Sequence, residues 1–224
     1  SRRFKASAEQ LARLDFLEAY ACKNLGGQDN RDRAFELFNR LLQSDNPGPG
    51  PETYPEFEAL QAMLEGLYEE KDLEETKRLL AWEWRASTPP IDPLSPLVLR
   101  FYQVIAQSDV DRGMRQPPSV DLPKELNALL TQSKALKVET EAARRHRDLF
   151  TSRLLQNLAQ VHSFIRDIPP QERLEMLQPW WTESLALKRE HGDLQGQALT
   201  LGTQGNFFNF VLNRYPEALA LYEE

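Results

Sequence analysis

The sequence has little of what disulfide-linked, metal-binding and membrane-spanning proteins require. Cys22 is the only cysteine among 224 residues, which excludes an internal disulfide and any multi-cysteine metal site. No apolar run approaches the ~20 residues needed to cross a bilayer, and no apolar signal core follows the opening residues SRRFKASAEQ. We therefore predict a protein of a reducing, cytoplasmic compartment that makes no membrane contact.

Basic charge and catalytic motifs are also scarce. The formal net charge of −7 argues against nucleic-acid binding, because neutralising phosphates requires a basic surface. His146, His162 and His191 belong to no HExxH or His–Cys pattern, and neither a phosphate-binding loop nor a GxSxG sequence occurs. Cys22 is interpreted as a core residue. The chain is therefore predicted to be non-enzymatic, with neither a cofactor nor a metal.

The alternating pattern of β-strands is almost absent, whereas apolar residues recur at spacings of three and four. The predicted fold class is therefore all-α, with prolines and glycines dividing the chain into helices. Two hairpins and a further helix are predicted in the first half, at 8–25 with 32–44, 55–69 with 72–86, and 97–107. Asp72 and Glu75 form a potential capping box at the start of the fourth helix.

The predicted organisation is an N-terminal set of helical hairpins over residues 1–107, a linker loop over 108–123 and a second helical region over 124–224. Residues 124–168 contain neither glycine nor proline and could form one helix or two. A break near Thr140 is favoured. In the first hairpin, four apolar residues of the first helix are expected to face the second helix: Leu11, Leu14, Leu17 and Ala21.

The last segment, LGTQGNFFNFVLNRYPEALALY, resembles a tetratricopeptide repeat. Five residues fall in the register of that motif, which asks for large apolar, small, aromatic, small and aromatic residues: Leu201, Gly205, Phe208, Ala218 and Tyr222. Asn213 and Arg214 are expected to form the turn between the two helices, and Pro216 fits the first turn of the second helix. A shorter similarity pairs QPWWTESLAL with LALYEE at an offset of 41 residues.

The preceding joint is similar to that of the longer, roughly 42-residue repeats of bacterial regulatory proteins and kinesin light chains. Gly192, Asp193 and Gly196 match its GD sequence and following small residue. The resemblance is clearest over 197–224 and weaker over 151–196, and the upstream RAFELFNRLL resembles a second repeat helix through Ala34 and Phe38. It implies antiparallel hairpins stacked as a right-handed solenoid that binds a peptide or partner helix.

The resemblance also implies a set of partner-binding residues on the concave face of the repeat, namely Leu199, Gly202, Asn206, Asn209 and Phe210. Trp180 is a candidate interface residue, because adjacent tryptophans on a helix point about 100° apart and Trp181 occupies the aromatic core position. Arg144 and Arg145 lie in the only concentrated basic run, which could contact an acidic partner or form a solvated helix face.

Two functional interpretations remain open at the level of sequence. The first is a non-catalytic interaction module within a larger bacterial regulatory or scaffold protein. The second is a regulatory or sensor region of a larger enzyme, such as a protease, kinase or nucleotide-switch ATPase, whose catalytic domain lies outside this chain. Because the last repeat is incomplete, we expect the native chain to continue, with Phe207, Phe210 and Leu221 exposed for stacking or self-association.

Overall fold

A computed structural model describes residues 7–43, 56–69, 73–85, 90 and 92–224. Those residues form helices joined by turns and loops and contain no strand, which confirms the all-α class. Their bounds are α1 Ala8–Leu25, α2 Gln28–Leu42, α3 Glu56–Glu69, α4 Leu73–Ala81, α5 Ser95–Gly113, α6 Leu122–Ala135, α7 Glu141–Ser163, α8 Pro170–Glu190, α9 Leu194–Phe210 and α10 Tyr215–Glu223. No helix in this part of the chain is long and apolar enough to span a bilayer.

The helix boundaries follow from local capping chemistry. Ser7 and Gln10 form a reciprocal capping box at the start of α1, with bonds of 3.2 and 2.9 Å to each other's backbone amides. Gly26 and Gly27, both at positive φ, complete the turn into α2, which therefore begins four residues earlier than predicted. The capping box expected at Asp72 lies outside the described residues.

The chain divides into two compact units, residues 1–120 and 121–224. The helix predicted at 97–107 extends to Gly113, so the helix-free segment is shorter than the predicted linker. Within that segment the carboxylate of Asp111 accepts hydrogen bonds from both the backbone amide and the hydroxyl of Ser119, each at 2.7 Å. This contact orders the backbone that follows α5.

The predicted break near Thr140 is confirmed. α6 ends at Ala135, and Thr140 caps α7 through a 3.1 Å bond from the backbone amide of Ala143 to its hydroxyl. A threonine hydroxyl therefore supplies the helix start in a stretch that has neither glycine nor proline.

The expected orientation of α1 is wrong. Leu11, Leu14 and Leu17 are more than half exposed, and Ala21 is also exposed. The opposite face packs inward: Ala19 is fully buried, and Phe16 meets Phe38 of α2 edge to face at 6.3 Å between ring centroids. α2 does present the predicted core residues, with Phe38, Leu41 and Leu42 buried.

Ion pairs at the edge of α1 explain this orientation. Arg40 of α2 contacts Asp15 at 2.7 Å, and Arg33 contacts Glu18 at 2.9 Å. On the other edge, Lys23 lies 3.5 Å from Glu65 of α3. The charged residues thus flank the small-residue face of α1 and direct its leucines away from α2.

In the second unit each helix packs against the next, and α7 also contacts α9. The core cluster at this junction contains Ala159, Leu177, Trp181 and Phe207, all at most 2% exposed. Trp181 is therefore a core residue, as predicted. Phe207 was expected on an exposed stacking surface, and that expectation is wrong because its ring packs 5.5 Å from the Trp181 ring.

α9 and α10 approach each other closely at Gly205. A Cβ added to Gly205 would lie 2.4 Å from a ring carbon of Tyr222, whereas the same atom on Gly202 would meet nothing within 4 Å. Ala218 of α10 is buried, and Asn213 takes a left-handed conformation with φ of 55° in the turn, where a turn was predicted. Gly205 is therefore the position at which the absence of a side chain permits the hairpin.

Substituting the two glycines of α9 separates this packing effect from helix propensity. We expect Gly202→Ala to raise the free energy of unfolding by about 0.5–1 kcal/mol, because alanine is the better helix former. Gly205→Ala receives the same gain but must displace Tyr222, so it should be about 1–3 kcal/mol less stable than Gly202→Ala. Equal stabilities in urea denaturation would contradict the close approach.

Candidate functional site

The candidate partner-binding residues lie along one accessible side of α9. At 100° per residue, Leu199, Asn206 and Phe210 fall within about 40° of one another around the helix axis. Leu199 is 55% exposed and Phe210 is 75% exposed, and Asn206 is also exposed. Two apolar side chains therefore stand on either side of a polar centre. We call Leu199, Gly202, Asn206 and Phe210 the α9 face.

Asn206 is held in a defined orientation by α10. The hydroxyl of Tyr222 donates to Oδ1 of Asn206 at 2.7 Å. This bond occupies the amide oxygen and leaves the two N–H donors of Nδ2 directed elsewhere. The polar centre of the α9 face is consequently arranged to donate hydrogen bonds, as recognition of peptide carbonyl groups requires.

The remaining predicted residues of this group are less exposed. Gly202 is half-buried, but the space above its Cα is open. Asn209 is also half-buried and lies about 80° from Leu199 around the helix, at the edge of the α9 face. None of the residues of α9 is charged, so the face recognises apolar groups and neutral hydrogen-bonding groups.

The other candidate interface residues lie elsewhere in the second unit. Trp180 is half-buried, packs against the core cluster and meets His162 at 5.1 Å between ring centroids. Arg144 and Arg145 are exposed on the first turns of α7, where Arg144 pairs with Glu141 one turn earlier. Neither feature adjoins the α9 face in the helix sequence, and each stays a separate candidate.

The joint between α8 and α9 is built as the GD sequence predicts. Gly192 has φ of +68°, a conformation that favours glycine after a helix. Asp193 then caps α9, its Oδ1 accepting from the backbone amide of Gly196 at 2.8 Å. A Cβ on Gly196 would overlap the Asp193 carboxylate and would lie 3.0 Å from Cε of Lys188. Both glycines are therefore required by local geometry.

Lys188 is buried beside this joint. Its Nζ donates to Oε1 of Gln156 at 2.5 Å and to the hydroxyl of Thr200 at 2.7 Å. Burial lowers the pKa of Lys188 to about 8, although the nearby Asp193 carboxylate opposes the shift. Lys188 thus connects α7, α8 and α9 through polar contacts, and the helical apolar pattern gave no signal for this role.

Asp148 forms a second buried polar contact that the sequence pattern did not reveal. Its carboxylate lies 3.2 Å from Nε2 of His191 and accepts from Arg147 at 2.8 Å. Within the basic run of α7, this acidic residue therefore turns inward while Arg144 and Arg145 remain exposed. The contact joins α7 to the end of α8 and so has a structural role.

The first unit contains a cleft with an empty volume of about 320 Å³. Apolar side chains line most of it, including Phe35, Phe38 and Met63, while Lys23 and Glu75 lie at its polar part. Lys23 contacts Glu65, and Glu75 accepts from Arg78 at 3.2 Å. Because both charged groups already have partners within the unit, we assign no binding role to the cleft.

Comparison with known proteins adds no assignment: no family model, curated protein or solved structure matches the chain. Over the described ranges, no cluster of three or more His, Cys, Asp or Glu side chains is arranged to hold a metal ion. Cys22 is half-buried on α1. The α9 face is consequently the strongest candidate site, on its geometry alone.

The buried amine of Lys188 predicts a pH dependence of stability. Below pH 8 the folded protein bears the cost of a buried charge, and that cost disappears as pH rises from about 8 towards the unfolded pKa of 10.5. The free energy of unfolding should therefore increase across this window by an amount on the order of 2 kcal/mol. Denaturant titrations at pH 7.5 and 9.5 measure the change.

Two lysine variants supply the control for this titration. Lys188→Met should abolish the increase, whereas Lys134→Met should retain it, because Lys134 is an exposed partner of Glu183 in the same unit. An unchanged pH dependence in Lys188→Met would show that another group causes the effect.

Proposed function

We propose that this chain is a non-catalytic protein-interaction module whose α9 face binds a peptide or a helix of another protein. The observation that carries the proposal is the combination of two exposed apolar side chains, Leu199 and Phe210, with a hydrogen-bond donor between them at Asn206. We further propose that the module forms tetratricopeptide-like hairpins stacked as a right-handed solenoid within a larger bacterial regulatory or scaffold protein.

The dimensions of the α9 face support an elongated ligand. Leu199 and Phe210 are eleven residues apart, or about 16 Å along the helix axis. That distance corresponds to roughly five residues of an extended peptide or three turns of a helix. A partner segment with two apolar side chains at this spacing can contact both ends while its carbonyl groups accept from Asn206. Anchors of this kind usually contribute most of the binding energy.

Local packing supports the repeat architecture. The small residues Gly205 and Ala218 lie at the α9–α10 contact, as the motif requires. α7 contacts α9 as well as α8, and stacked hairpins bring alternate helices together in this way. The glycine and aspartate of the α8–α9 joint also agree with the longer repeat variety.

A displayed library of random linear peptides, with candidates resynthesised for fluorescence polarisation, tests the proposed function. We expect the selected peptides to contain two apolar residues at the stated spacing. Replacing an interface anchor with a small polar residue should weaken binding by roughly 10- to 100-fold, so Phe210→Ser and Leu199→Ser should each show this loss. Because α9 has no charged residue, the affinity should change little with salt concentration.

Leu194→Ser is the matched control for these variants. Leu194 is 76% exposed on the same helix but lies about 140° from Leu199, outside the α9 face. Binding by this variant should remain within roughly twofold of the parent, since single exposed apolar residues away from an interface contribute little. Equal losses in all three variants, or no enriched peptide, would refute the proposal.

A further inference from the structure

α1 presents a continuous apolar surface to solvent on the side opposite its own core contacts. Its members lie at helical spacing and are exposed by 52, 59, 54 and 74% for the four leucines. We call Leu11, Leu14, Leu17, Ala21 and Leu25 the outer stripe of α1. Leucines so arranged are unusual on a protein surface, where large contiguous apolar patches mark interaction sites.

The inner face of the same helix is already used. Ala19 is fully buried and Phe16 packs on Phe38, while Leu14 and Ala21 point about 160–180° away from that contact. α1 is thus apolar on two opposite sides, a pattern typical of a helix that is covered on both. The packing of α2 and α3 accounts for only one of them.

The charges beside the outer stripe are self-complementary. With Leu14 and Leu17 as the a and d positions of a heptad, Arg13 takes the g position and Glu18 the e position. In a parallel two-helix coiled coil, a g residue meets the e residue five positions later on the other helix. Arg13 of one copy would therefore meet Glu18 of the other, and the two-fold axis generates the same pair twice.

The residues around that pair agree with the same register. Tyr20 and Leu25 are the next g and e positions and would form an apolar contact across the dimer. Ala21 at the second a position allows the helices to approach closely. Glu18 keeps its bond to Arg33, because a carboxylate has several acceptor sites. An antiparallel pair would instead place equivalent flanks together, with Arg13 facing Arg13 of the other copy.

We propose that the outer stripe of α1 binds the outer stripe of a second copy of this chain, forming a parallel, two-fold symmetric dimer. This dimer interface is distinct from the α9 face and does not depend on the peptide-binding function. α1 has 18 residues, or about 27 Å of helix, which is sufficient for an interface of modest size.

Sedimentation velocity of the full chain from about 1 to 100 μM, a range suited to a modest interface, tests the dimer. The parent should pass from monomer to dimer. The double variant Leu14→Gln/Leu17→Gln should raise the dissociation constant on the order of 100-fold, because each leucine is lost twice per dimer. Circular dichroism of this variant should show the helix content of the parent, since both side chains are exposed.

Two variants at exposed apolar residues of the second unit are the matched controls. Phe164→Gln and Phe210→Gln remove aromatic residues that are 73 and 75% exposed and should leave the dimerisation unchanged. A parent chain that remains monomeric throughout the range would overturn the proposal. Equal dimerisation by the parent and the double variant would also overturn it, and would assign the interface to another surface.

Disulfide cross-linking tests the parallel arrangement. In a Cys22→Ser background, Ala21→Cys places thiols at a central a position, where parallel helices bring equivalent residues within disulfide distance. An antiparallel pair centred on Leu14 and Leu17 would separate the two thiols by about 16 Å. We expect the cross-linked dimer for Ala21→Cys and none for Ala142→Cys, an exposed position of α7. A sedimenting dimer without the cross-link would refute the parallel register.

Discussion

The contact between Trp181 and Phe207 fixes the rotation of α9, and the arrangement of the second unit depends on it. Trp181 is fully buried at the junction of α7, α8 and α9, and Phe207 is the α9 residue that meets its ring. Because a helix is rigid around its axis, an inward Phe207 directs Leu199 and Phe210 outward and turns Gly205 towards α10. Burial of one large aromatic pair therefore determines both the accessible side of α9 and the position of the last hairpin.

Local chemistry made parts of this structure predictable from sequence. The α8–α9 joint follows from a glycine that tolerates positive φ and from an aspartate that caps the next helix, and both act within a few residues. The break before α7 follows in the same way from Thr140. The small residue at Gly205 was also interpretable, because only close helix packing explains a glycine within an otherwise regular helical pattern.

The rotation of amphipathic helices was harder to predict. α1 has apolar residues on two sides, so periodicity alone cannot decide which side is buried; Phe16 and the ion pairs of Asp15 and Glu18 decide it through contacts with α2. Phe207 was misplaced because neighbouring aromatic residues, Phe207, Phe208 and Phe210, compete for the core. The buried Lys188 has no local signature, since its partners come from α7 and α9.

The order of helix contacts in the second unit also has a consequence for how the chain folds. α6 to α10 each pack against the next helix, and the longest step in this set is from α7 to α9. Contacts close in sequence require only short loops to be closed, which lowers the entropic barrier and is associated with fast folding. During synthesis, each helix can therefore pack on the one before it as it emerges, and the hydrophobic surface of Trp181 is covered once α9 has been made.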